Sequence, residues 1–108
     1  MAKLATIYVT CASEDEAATI ARALVEEGLA ACGNILGGIR SIYSWQGKVQ
    51  DEGEVAMLLK TTPARVDEAM ARIAALHSYD EPCIEVWPVE GAAEGFSAWV
   101  EAQTAKVR

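Results

Sequence analysis

The only histidine in the chain, His77, and the first of its three cysteines, Cys11, are the side chains best suited to metal or nucleophilic chemistry. A thiolate and an imidazole together suit a soft ion such as copper, and a thiol beside an imidazole is also the pairing of cysteine nucleophiles. Two ligands leave a metal site incomplete, and no recognisable third residue orients a nucleophile. Cys11 ends an apolar stretch just before a helix start, where helix amides can stabilise a thiolate. His77 closes a second helical stretch ahead of Tyr79-Asp-Glu-Pro82. At that position an imidazole can equally bond a free carbonyl and complement the helix dipole. The residues alone leave those two readings of His77 evenly weighted.

Cys32 and Cys83 lie within apolar runs and read as buried, inert thiols. An odd, widely spaced set with no CxxC pair indicates neither a disulfide framework nor a zinc knuckle, so a reducing cytoplasm is the expected compartment. Aromatic residues and charges form the second group of interest: Tyr43, Trp45 and Lys48, with Glu54, Lys60, Tyr79 and Trp99. Such a mixture suits either a subunit interface or the lining of a small-ligand cleft. The interface is favoured for Tyr43, Trp45 and Lys48, while Glu54, Lys60, Tyr79 and Trp99 are the candidates for a cleft. No G-x-S-x-G, P-loop, G-x-G-x-x-G or H-E-x-x-H motif occurs, so neither an enzyme nor an organic cofactor is expected.

The 108 residues carry 52% hydrophobic and 23% charged side chains and a formal net charge of −7. That is the balance of a globular domain, and residues 1–108 read as one. Net acidity argues against nucleic acid, whose phosphates require clustered Lys and Arg. The longest apolar runs are too short for a membrane helix.

The elements that must position these residues follow from periodicity. Residues 1–10 alternate as a first strand rather than a signal peptide. Ser13 with Glu16 forms a capping box, and Ala17, Ile20, Ala21, Leu24 and Val25 recur at helical spacing up to Gly28. From Leu29 to Thr61 two apolar runs meet at Gln46-Gly47, a turn pair that predicts one long β-hairpin with Tyr43 and Trp45 near its tip. Gly37-Gly38 marks a bulge in its ascending arm. Thr62-Pro63 opens a second helix, in which Val66, Ala69, Met70, Ile73 and Leu76 form one stripe ending at about His77. Cys83 to Trp87 alternates as a short strand closed by Pro88, and Phe96, Trp99 and Val100 give a last helix its apolar face.

The order βαββαβ followed by α is that of an α+β, ferredoxin-like sandwich with a long central hairpin and an extra C-terminal helix. In this arrangement the first and fourth strands are not expected to be hydrogen-bonded at their ends, which leaves contact between Cys11 and His77 open. Apolar residues on both parities near the tip (Ile39, Ile42, Tyr43, Trp45) need a second partner, and a neighbouring subunit is the favoured one.

Five segments in order, Leu29-Ala-Ala-Cys-Gly-Asn34, Ser41-Ile-Tyr-Ser-Trp-Gln-Gly-Lys48, Glu54-Val-Ala-Met-Leu-Leu-Lys-Thr61, His77-Ser-Tyr-Asp-Glu-Pro82 and Phe96-Ser-Ala-Trp-Val100, resemble the CutA-type divalent-cation-tolerance proteins over nearly the whole chain. The resemblance implies a cytoplasmic homotrimer joined through the hairpins and linked to tolerance of copper and other divalent cations. It also implies a copper-associated cysteine at the end of the first strand and a pair of histidines before the Tyr-x-x-Pro loop. Cys11 and His77 match these positions, but Leu76 replaces the other histidine, so only weak copper binding is implied. Two alternatives accompany it: a trimeric regulator that takes a small anionic metabolite or nucleotide between subunits, and a structural trimer that anchors a partner protein.

Overall fold

A computed structural model describes residues 3–105. β1 (Leu4–Cys11) leads into α1 (Glu14–Glu26), followed by β2 (Cys32–Trp45), β3 (Lys48–Thr61), α2 (Val66–Leu76), β4 (Ile84–Val89) and α3 (Glu94–Thr104). The four strands form one antiparallel sheet in the order β2-β3-β1-β4. This is the ferredoxin-like sandwich with an added helix.

Local chemistry sets the element ends. The Ser13 Oγ accepts from the Glu16 amide at 3.1 Å, and Glu16 reaches back to the Ala12 amide at 3.0 Å, one residue beyond the usual capping box. Gln46 and Gly47 both take positive φ (51° and 78°), the geometry of a two-residue hairpin turn that follows strand twist. The register shifts between Leu36 and Ile39, so the Gly37-Gly38 bulge stands where it is expected.

Three boundaries differ from the sequence reading. α2 is preceded by a 3-10 turn, Pro63–Arg65, and Thr62 makes no capping bond because its hydroxyl faces that of Thr104 at 3.4 Å. β4 starts at Ile84 and runs through Pro88, which pairs with Ala5; as an edge strand, β4 tolerates the missing amide on its outer side. β1 and β4 are hydrogen-bonded neighbours from Leu4↔Val89 to Val9↔Ile84, contrary to the expectation that they are not hydrogen-bonded at their ends. That pairing sets the α2–β4 loop beside the end of β1.

Alternation along β1 and β3 sends Ile7, Val9, Cys11, Val55, Met57 and Leu59 onto Ala17, Ile20, Leu24, Ala69 and Ile73 of the two helices. The opposite face receives α3 only at one end, where Val100 packs with Leu4 and Ala31. β1 ends its pairing at Cys11↔Val55, while β2 and β3 continue to Trp45↔Lys48. A strand of 14 residues spans about 46 Å at ~3.3 Å per residue, which accounts for a longest dimension of 44 Å. The outer half of the hairpin therefore overhangs the domain. Ile42, Trp45 and Val49 there are 65%, 51% and 77% exposed.

Candidate functional site

Cys11, Glu16 and His77 converge where β1 ends, α1 begins and α2 gives way to the loop. Their donor atoms all lie within 4.8 Å of one another, and this is the group of metal-donor residues found among the described residues. Glu16 is the member that the sequence reading treated only as a helix cap. Its spacing from Ser13 explained it locally, and no periodic signal tied it to residue 77.

Every donor in the group already has protein partners. The His77 ring is wholly buried; one nitrogen, Nε2, lies 2.8 Å from the Thr10 carbonyl, and Nδ1 accepts from the Tyr79 amide at 3.1 Å. A carbonyl can only accept, so this network assigns the proton to Nε2. Glu16 accepts from the Ala12 amide through Oε1 and from the Ser78 amide through Oε2 at 2.7 Å, and Oε2 stands 3.9 Å from Nδ1 of His77. Burial opposes the Glu16 charge, yet the hydrogen bonds from Ser78 and Ala12 hold its carboxyl below the usual range. Burial, then the carboxylates of Glu16 and Glu54, push the Cys11 thiol up to about 11. Helix amides do not make it a thiolate: the expected stabilisation is outweighed by desolvation and negative neighbours. The donor types suit a soft ion, but binding requires Cys11 to lose its proton and His77 to give up a hydrogen bond.

The other thiols depart from expectation. Cys32 is half-buried at the start of edge strand β2 and Cys83 is exposed just ahead of edge strand β4, where an apolar sequence run does not guarantee cover.

On the open face of the sheet, the hairpin and the 78–83 loop enclose a cleft of about 530 Å3. Tyr43, Trp45, Glu54 and Tyr79 meet there, joined by Tyr8, Glu52, Asp80 and Glu81. The Tyr79 hydroxyl donates to Glu54 at 2.8 Å and that of Tyr43 to Glu52 at 2.6 Å. Burial and then the Glu54 bond raise the Tyr79 phenol; the Glu52 bond raises that of Tyr43. Two cleft candidates lie elsewhere. Lys60 donates to Asn34 at 3.0 Å, and Trp99 packs on Phe96 with ring centroids 6.0 Å apart. Lys48 pairs with Trp45 across the turn and is not part of the lining.

A small ferredoxin-like sandwich with an overreaching hairpin and a group of buried Cys and His with a partly buried Glu defines a narrow class of protein. Residues 5–103 match the model of the CutA1 divalent ion tolerance protein family, and the chain belongs to that family. The divalent-cation tolerance protein CutA of Thermus thermophilus is 42% identical over 98 residues, covering 91% of this chain and 95% of that one. The chloroplastic CutA of Arabidopsis thaliana is 34% identical, and the matched region is 54% of its length. Among solved structures, CutA1 from Ehrlichia chaffeensis superposes with a TM-score of 0.92 at 35% identity, covering 98% of this chain and 99% of that one.

Proposed function

We propose that the protein acts in tolerance of divalent metal ions as a cytoplasmic homotrimer, without catalysis, and that Cys11, Glu16 and His77 bind copper weakly. The family supports the role. The observation that carries the site is the convergence of a thiol, a carboxylate and an imidazole within 4.8 Å. Weakness follows from the internal hydrogen bonds of His77 and the raised Cys11 thiol, both of which copper must displace. Among the described residues no helix is long and apolar enough to cross a membrane. The CutA of Archaeoglobus fulgidus is named a periplasmic divalent cation tolerance protein.

Titration of the reduced protein with Cu(I) and Cu(II) tests the site. Cys11→Ser and His77→Ala are expected to weaken binding by at least about tenfold. Equal binding by all three proteins would remove the site from consideration.

Assembly is the second part of the reading. Tyr43 and Trp45 stand 39% and 51% exposed on a ribbon that leaves its own domain, an arrangement that leaves large apolar area in water unless another copy covers it. Lys48, opposite Trp45, completes the proposed interface. By light scattering the wild type is expected to have the mass of three chains, and Trp45→Ala to shift the equilibrium toward single chains at micromolar concentration. An unchanged mass and melting temperature would refute Trp45 as an anchor.

A further inference from the structure

We infer that ligation of a metal by His77 and docking of Tyr79 on the hairpin exclude one another, so that the 78–83 loop is a built-in competitor for the metal. The inference rests on the proposed Cys11–Glu16–His77 site and concerns how that site is regulated. Two consecutive loop amides cap its donors: Ser78 donates to Glu16 Oε2 at 2.7 Å, and Tyr79 donates to His77 Nδ1 at 3.1 Å. The Tyr79 side chain then reaches toward the sheet. Its ring lies against His77 with centroids 4.7 Å apart, and its hydroxyl donates to Glu54 of β3 at 2.8 Å. One residue thus joins the buried imidazole to an arm of the hairpin.

Imidazole chemistry makes the exclusion independent of which ring nitrogen is used. Nδ1 has a single lone pair, which the Tyr79 amide now occupies, so ligation at Nδ1 removes that bond directly. Ligation at Nε2 first requires the proton held against the Thr10 carbonyl to leave. A neutral ring then carries its proton on Nδ1, which changes from acceptor to donor and meets the Tyr79 N–H with another N–H. Either route breaks the same bond. The chain has one histidine, so no second imidazole can take the metal while His77 keeps its partner.

The consequence is a coupling between the site and the loop. Three bonds hold two adjacent residues, those from the Ser78 amide, the Tyr79 amide and the Tyr79 hydroxyl, so loss of the middle one loosens the other two. Such linkage is reciprocal: whatever holds Tyr79 on Glu54 lowers the affinity of the site for metal, and metal weakens the hold on Glu54 by the same factor.

Tyr79→Phe tests it, because the variant keeps the ring and all three metal donors and loses only the hydroxyl bond to Glu54. The reduced protein in its native assembly is titrated with Cu(I) against a chromophoric Cu(I) chelator in the absence of oxygen. Tyr79→Phe is expected to bind Cu(I) at least about fivefold more tightly than the wild type. A variant that merely loosened the fold binds more weakly, so the direction of the change separates coupling from damage. In the wild type, saturating Cu(I) is expected to speed amide exchange at Ser78 and Tyr79. Equal or weaker binding by Tyr79→Phe, or unchanged or slower exchange at those amides, would overturn the coupling. Cys11→Ser in the same titration keeps the two readings apart. Binding lost in Cys11→Ser but equal in wild type and Tyr79→Phe refutes the coupling alone; binding undiminished in Cys11→Ser, or absent from every protein, refutes the site and the coupling with it.

Discussion

Replacing His77 by alanine is expected to lower the free energy of unfolding by about 4 kcal/mol, measured by urea denaturation. The loss has three sources. The Thr10 carbonyl and the Tyr79 amide each lose a partner, at about 1–3 kcal/mol apiece where water does not replace it. A cavity opens where a wholly buried ring stood. The third source is indirect: without the ring to anchor the Tyr79 amide, the loop that presents the Ser78 amide to Glu16 Oε2 is no longer held in place. Because these bonds join the end of β1, the start of α1 and the α2–β4 loop, the variant is also expected to raise amide exchange at Ala12, Ser78 and Tyr79. A change of less than about 1 kcal/mol would show that the ring is not a structural tie.

The same junction has a signature in acid. The carboxyl of Glu16 titrates below its ordinary range in the folded chain, so the unfolded chain binds its proton first as the pH falls. Its contribution to stability is fully present above the ordinary carboxylate range and is lost as pH drops through the lowered folded value. Glu16→Gln is expected to remove this dependence. The stability gap between wild type and variant is then widest near neutrality and shrinks as the pH falls below the ordinary carboxylate range.

Gly33→Val is expected to cost about 3 kcal/mol through overpacking between α1 and the sheet. A Cβ at Gly33 would lie 2.9 Å from Leu59 Cδ2 and 3.0 Å from the Ala21 Cβ. Leu59 is wholly buried and Ala21 is fixed in the helix facing it, so relief requires α1 to move off β2. Backbone strain is not the cause, since the residue does not adopt positive φ. Gly91→Ala, where an added Cβ meets nothing within 4 Å, is the control and is expected to change stability by less than about 0.5 kcal/mol. Equal effects at the two positions would place the role of Gly33 in the unfolded chain rather than in helix–sheet contact.

Much of the fold was legible because its signals are local. Alternation named β1 and the buried arm of β3, helical spacing named α1 and α2, and Gln46-Gly47 placed the hairpin turn. Pro88 misled because a proline forbids only a ladder bond, and whether β4 needed that bond depended on its lying at the sheet edge. Cys83 misled for a related reason, since apolar neighbours in sequence do not supply cover in the loop just ahead of an edge strand. Lys60 and Trp99 were grouped with Tyr79 by residue type, but strand register and the course of α3 carried them elsewhere.

The sequence by itself determined the elements, their order, the length of the hairpin and the aromatic character of its tip, because these follow from patterns that repeat within a few residues. Only the tertiary structure decided that His77 meets Thr10 across 67 positions and that Glu16 meets Ser78 across 62. It likewise decided that Tyr79 meets Glu54 in a cleft of carboxylates. Those meetings depend on β4 pairing with β1 and on the hairpin rising beside the 78–83 loop. Pairing of that kind is set by long-range register and burial, to which no short window of sequence is sensitive.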